Sequence, residues 1–322
     1  MKSRRKFLQE MAALGVALPA SAFAGNFKTD AYLTAGERVK MGPVCVFSKH
    51  LQFLDYEEMA DTAAEIGFDG VDIPVRPQGH VLPENVERDL PIAIQAVERA
   101  GLSVPMITTA ISDADDEKTA AILETAAALG VKYYRPYWFA YDFDKGVIPS
   151  LDMWRKRVEK LSELNEKFGM EASYQNHAGT HIGAAVWDSW YMLKDRKSPA
   201  FGIQFDIRHA VVEGGRGWPV TLQLIAPFIN TLVIKDFYWG KVDGEWRLVN
   251  VPVGEGMVDF DSYFKLIGDL GVNGPISMHF EYPMTDKPEE TMSKDEIKPQ
   301  VMRKMKKDLD QLRLYLKGAK RS

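Results

Sequence analysis

A single cysteine, Cys45, stands in the whole chain. With no second thiol there is no internal disulfide, and the fold must hold by packing alone. Long hydrophobic runs are also missing. The most apolar stretch, Met11 to Ala24, is shorter than the ~20 residues a membrane-spanning helix needs and is broken by Pro19. Basic charge is not in excess: 40 Lys and Arg face 45 Asp and Glu, a net charge of −5. That balance lacks the electrostatic footprint of a nucleic-acid or anionic-membrane partner. No glycine-rich dinucleotide fingerprint follows the first predicted strand, and no 20–50-residue repeat or low-complexity linker divides the chain.

The N-terminus carries an address. Ser3 to Gln9 reads S-R-R-K-F-L-Q, and a short apolar run ends in A-F-A at Ala22 to Ala24. This pattern predicts a twin-arginine-type export signal over residues 1–24, a mature chain of residues 25–322 and a periplasmic location. No cysteine directly follows the signal, so no lipid or membrane anchor is expected there. Without the signal the chain has 36 basic and 44 acidic residues, a net charge of −8.

From Val44 onward, eight β-prone runs alternate with amphipathic stretches: VCVF (44–47), GVDIPV (70–75), VPMIT (104–108), KYYRPYW (132–138), EASYQNH (171–177), FGIQFDI (201–207), TLVIKDF (231–237) and PISMHFE (275–281). Several of the intervening stretches close on the glycine expected past a helix end. Strand–helix alternation requires parallel strands, and eight strands close a barrel. The expected fold is therefore α/β, a single-domain (β/α)₈ TIM barrel. The segment WGKVDGEWRLVNV (239–251) has turn residues between two short alternating runs and predicts a small hairpin inserted after the seventh strand.

In such barrels the chemistry lies at the C-terminal ends of the strands. All six histidines, His50, His80, His177, His181, His209 and His279, fall near those ends or in the loops just after them. Strand alternation places Gln175, His177, Asp206, Lys235, His279 and Glu281 on one face of four consecutive strands. Each has a plainer reading. Asp206 also fits the N-cap of the helix that follows, His209 fits a packing residue, and Lys235 beside Asp236 fits a solvated ion pair. The conjunction points to a site. His177, His209, Lys235 and His279 are the catalytic candidates, and His80, Arg135, Trp138, Arg208 and Trp239 the candidates for holding substrate.

The motifs GFDGVDI (67–73), YQNH (174–177), FDIRH (205–209), IKD (234–236), GEGMVDF (254–260) and GPISMHFE (274–281) resemble those of the xylose-isomerase-like barrels, the sugar isomerases and epimerases, over roughly residues 40–285. The resemblance implies a divalent metal, Mn²⁺, Mg²⁺ or Zn²⁺, held by residues from the fifth to eighth strands. Carried onto this chain, its ligands are Gln175, Asp206 and Glu281. Gln175 stands where the family has a glutamate, and Val233 where it has a histidine. The resemblance also implies proton abstraction next to the carbonyl of a sugar or keto-sugar. The alternatives are a lyase or hydratase acting on 3-keto glycosides or their unsaturated products, and a non-catalytic periplasmic sugar-binding protein. The sequence leaves the sugar and a homo-oligomeric state open.

Overall fold

The computed structural model describes residues 40–319; the predicted export signal, residues 1–24, lies outside them. Eight parallel strands close into a barrel: β1 (Val44–Phe47), β2 (Gly70–Val75), β3 (Ser103–Thr109), β4 (Tyr133–Arg135), β5 (Glu171–Gln175), β6 (Phe201–Asp206), β7 (Ile229–Ile234) and β10 (Ile276–Met278). Each pairs with its neighbours in chain order, and β10 closes on β1 through Val46 and Met278.

Each strand end has a local cause. The fourth run forms a strand only to Arg135, because Pro136 has no N–H to continue the ladder. The seventh ends at Ile234, and the hairpin, β8 (Asp236–Val242) and β9 (Glu245–Val251), starts directly after Lys235. The hairpin is therefore longer than the sequence predicts. Its turn is Asp243-Gly244 with φ +52° and +83°, the positive pair that a two-residue hairpin loop requires.

The helices α1 (Tyr56–Ile66), α2 (Val86–Arg99), α3 (Glu117–Ala128), α4 (Val147–Phe168), α5 (Val186–Leu193), α6 (Ile207–Gly214), α7 (Trp218–Ile225) and α8 (Phe260–Asp269) follow the strands. Helix α1 starts on a capping box between Asp55 and Glu58 and stops at Gly67, whose φ of +100° suits glycine. A last helix, α9 (Lys294–Gly318), packs against α1 and α8. The eightfold alternation does not account for it, yet it buries Ile297, Val301, Met305, Leu309 and Leu312. None of the described helices is long and apolar enough to cross a membrane.

Between strands and helices lies an apolar shell that includes Tyr134, Tyr174, Phe201, Phe205, Phe260 and Phe264. The strands also bury polar groups, Asp72, Thr108, Arg135, Gln175, Gln204, Asp206, Thr231 and Ser277 among them. Buried polar atoms are costly unless bonded, so these must form networks. Asp72 accepts from Thr108 Oγ1 at 3.0 Å and from Ser277 Oγ at 2.7 Å. Burial still pushes its carboxyl up to about 6, against the lowering by these two hydroxyls.

Candidate active site

Asp206 is the last residue of β6 and the N-cap of α6, and it carries both roles at once. Its Oδ1 accepts the His209 backbone N–H at 3.1 Å, the cap bond that starts the helix. The Asn176 amide clamps its backbone, donating to the Asp206 carbonyl at 3.0 Å and accepting the Asp206 N–H at 2.7 Å. Oδ2 is thereby aimed into the barrel, where it accepts from Gln175 Nε2 at 2.8 Å and lies 3.2 Å from Lys235 Nζ. The acid that ends the strand thus both starts the next helix and holds a cation.

Lys235 is 3% exposed and bridges two acids, with Nζ 2.8 Å from Glu281 Oε1 as well. It makes no surface ion pair with its neighbour Asp236. That carboxylate turns the other way and gathers the backbone N–H groups of Phe237, Gly254, Gly256 and Val258 at 2.8–3.3 Å, pinning the chain that returns from the hairpin. Gly256 must be glycine there, because a Cβ would come within 2.2 Å of Asp236 Oδ1. Burial pushes the Glu281 carboxyl up, but the charge and hydrogen bond of Lys235 outweigh this and hold it well below the usual range.

Four imidazoles ring this pair, and all are shifted toward the neutral form. His177 Nδ1 lies 2.8 Å from the Ala178 carbonyl, which accepts only if Nδ1 carries the proton; Nε2 then holds the lone pair. Its ring lies between those of Trp138 and His209, at 4.5 and 4.1 Å. Burial, then the Lys235 charge, lowers its pKa. Arg208 Nη1 donates to His209 Nδ1 at 2.9 Å, so the His209 proton is on Nε2, 3.5 Å from Asp206 Oδ2 and too far for a good hydrogen bond. His279 stacks on Phe47 at 4.5 Å, with Nε2 buried and without a partner. Burial, with Lys235 second, drives both His209 and His279 well below the ordinary imidazole range. His50 is lowered to about 4 by burial and by Lys49.

The mouth is a cleft of ≈ 810 Å³, walled by Lys49, His50, Trp138, His177, Glu281 and the loop Tyr282–Glu289. Arg135 packs its guanidinium on Trp138 at 4.6 Å and donates to Gln175 Oε1 at 2.9 Å. Burial lowers the Arg135 pKa to about 10, with nearby Arg76 adding to the effect.

Two predicted substrate contacts lie elsewhere. Trp239 sits on the hairpin, 43% exposed, in a separate groove with Arg216, Trp218 and Met257, because the hairpin leaves the barrel directly after Lys235 and carries the ring outward. His80 is tied into the loops after β1 and β2: its Nδ1 is 2.9 Å from Ser48 Oγ, and its carbonyl accepts from Tyr56. Three contributors escaped the strand-face reading. Lys49 and His50 come from a 3₁₀ turn after β1, and Asn250 of β9 accepts from Arg208 Nη2 at 2.5 Å and donates to the Glu281 carbonyl at 3.2 Å. Histidine at a strand end was a usable signal for His50; nothing local marks Asn250.

The sequence matches the family described as xylose isomerase-like TIM barrel over residues 60–305, most of the chain. The chain belongs to that family. No curated protein sequence matches it. Among similar solved structures, L-ribulose 3-epimerase has a TM-score of 0.65 at 13% identity, covering 86% of this chain and 95% of its own. The 3-keto-D-glucoside 4-epimerase YcjR from E. coli, in its apo form, has a TM-score of 0.58 at 16% identity, covering 81% and 94%. A xylose isomerase-like TIM barrel protein from Mycobacterium smegmatis, solved with magnesium, has a TM-score of 0.62 at 16% identity, covering 85% and 97%. At these identities the likeness is one of fold.

The metal set implied by the family fits this site poorly. Both Asp206 oxygens already accept N–H donors, Glu281 Oε1 is taken by Lys235, and the Gln175 carbonyl is taken by Arg135. Val233, in register beside Asp206, offers no donor atom. Among the described residues, no group of three or more His, Cys, Asp or Glu side chains is placed to hold an ion.

Proposed function

We propose that this chain is an exported enzyme that abstracts a proton from the carbon beside a sugar carbonyl, with an unphosphorylated keto-sugar as substrate and epimerisation or isomerisation as outcome. The observation that carries the reading is the pairing of His177 with Lys235. His177 lines the cleft as a neutral imidazole with its lone pair on Nε2, its pKa lowered first by burial and then by the charge of the buried Lys235 ammonium. A neutral imidazole is a competent general base near neutral pH. The enolate left behind needs fixed positive charge at its oxygen, and a buried cation supplies it without reorganisation. Returning the proton to the other face epimerises the carbon, and returning it to the former carbonyl carbon, as the hydroxyl proton passes from one oxygen to the other, isomerises the sugar.

An unphosphorylated substrate is favoured by the cleft wall. The loop Tyr282–Glu289 brings Asp286 and Glu289 to the mouth, with Lys287 as its one basic residue, and it presents no glycine-rich cradle. Trp138 offers a face on which a pyranose can stack.

The deciding experiment incubates the protein with ketoses, aldoses and 3-keto glycosides in D₂O and follows deuterium entry beside the carbonyl by NMR. Exchange is expected with at least one of them and should be lost in His177→Gln. Tight binding of a sugar without exchange would establish the binding-protein reading instead. β-Elimination passes through the same enolate, so the product spectrum separates a lyase from an epimerase.

A further inference from the structure

The geometry points to Lys235 as the resident cation of this site, its ammonium doing at the substrate oxygen what a divalent metal does in metal-dependent barrels; the site works without a metal ion. This deepens the enolate reading above and rests on it for the reaction, but not for the metal.

Three observations carry it. First, Nζ occupies the space between the two carboxylates that would share an ion, 3.2 Å from Asp206 Oδ2 and 2.8 Å from Glu281 Oε1. Second, the surrounding donors are already matched to a cationic side chain. Gln175 turns its NH₂ toward Asp206 and its oxygen toward Arg135, the orientation opposite to that of a metal ligand. Third, the strand position beside Asp206 is Val233, so a divalent ion would gain no imidazole from β7. To enter, the ion would have to expel a 3%-exposed ammonium and sit among Arg135 and Arg208, both buried. Hard divalent ions gain most from free carboxylate oxygens, and of the four oxygens of Asp206 and Glu281 three already accept N–H donors, leaving only Glu281 Oε2.

The chemistry balances without further reagents. As His177 Nε2 takes the proton from carbon, the C–H electron pair moves into the enolate and its oxygen becomes negative, compensated by the Lys235 ammonium. The salt bridge to Glu281 is the contact that the substrate oxygen would displace, because Glu281 is the partner at the open side, 35% exposed, whereas Asp206 is fully buried. Asp206 then holds Lys235 in place, as a positioning residue.

Full-length protein purified without chelator and then dialysed against EDTA is titrated with Mn²⁺, followed by the electron paramagnetic resonance of the free ion and by Tm. The free-ion signal should stay unattenuated, Tm unchanged, and deuterium exchange undiminished by the chelator. One bound equivalent of Mn²⁺ that disappears in Asp206→Asn would overturn the inference whether or not any sugar reacts, which keeps its failure distinct from failure of the functional reading. For the reaction, Lys235→Met should lower exchange by about a hundredfold while Lys235→Arg, which keeps the charge, retains part of it. If Lys235→Met leaves two facing acids that prevent folding, Lys235→Met with Asp206→Asn removes that repulsion. A folded protein lacking Lys235 that exchanges at the wild-type rate would also overturn the assignment.

Discussion

Arg208 Nη2 lies 2.5 Å from Asn250 Oδ1, so the hairpin inserted after β7 is bonded to the residue two positions past Asp206. The same asparagine donates to the Glu281 backbone, joining the inserted hairpin to the β10 end of the cleft. Asn250→Ala removes both bonds without touching the reacting atoms. KM should rise about tenfold with a smaller change in kcat, the size expected for one hydrogen bond to a charged group. Steady-state kinetics on the sugar that shows exchange will read it, and an unchanged KM would free the hairpin from any part in binding.

The two roles of Asp206 separate by substitution. Asn caps a helix as well as Asp does, so Asp206→Asn should keep the bond to His209 N while losing the charge that holds Lys235. Exchange should fall by about a hundredfold, with a smaller loss of Tm than in Asp206→Ala, which also loses the cap. Equal Tm losses in the two variants would show that the cap contributes little.

The pH profile follows from His177. Burial and Lys235 lower its pKa, so it stays neutral and basic below the ordinary imidazole value of about 6.5. As pH falls, kcat/KM should hold through 6.5 and drop only as the lowered pKa is crossed. An acid limb centred above 6.5 would exclude His177 as the base.

Asp308, on α9 behind the cleft-wall residue Tyr282, offers a stability test. Burial pushes its carboxyl up to about 7, against the lowering by the Val253 backbone and by Tyr282, which donates to Oδ2 at 3.1 Å. Between the unfolded value near 3.9 and about 7 the folded state binds the extra proton, so stability falls as pH rises through that window. Asp308→Asn abolishes this dependence. The Tm difference, variant minus wild type, should become more positive from pH 5 to pH 8, and a flat difference would mean that Asp308 titrates normally.

Export is a separate matter, because residues 1–24 lie outside the described structure. Replacing Arg4 and Arg5 by Lys should strand the precursor in the cytoplasm, as judged by cell fractionation. Unimpaired export would remove the twin-arginine assignment and leave the barrel reading untouched.

The barrel was legible because its causes are local. A buried parallel strand must be apolar and β-branched along its length, and a helix over it must repeat every three to four residues, so eight alternations announce themselves one at a time. Position relative to the barrel was legible too, since side-chain alternation fixed Gln175, Asp206 and Lys235 on one face before any coordinates, and the structure brings the three together. The partners those residues choose were not. Whether Lys235 reaches its neighbour Asp236 or, 46 residues on, Glu281 depends on where the chain turns after Ile234, and that turn is set by the backbone amides of Gly254, Gly256 and Val258, which return to Asp236 only once the hairpin has folded. For the same reason Trp239, near the mouth in sequence, is carried away from it, and Asn250, remote in sequence, is brought in. Sequence fixes which groups a strand aims inward, because pleating is a property of the backbone. Which of them meet is decided by the closure of the sheet and the path of the insertion, where contacts between distant segments compete and the one that leaves the fewest buried charges unpaired prevails.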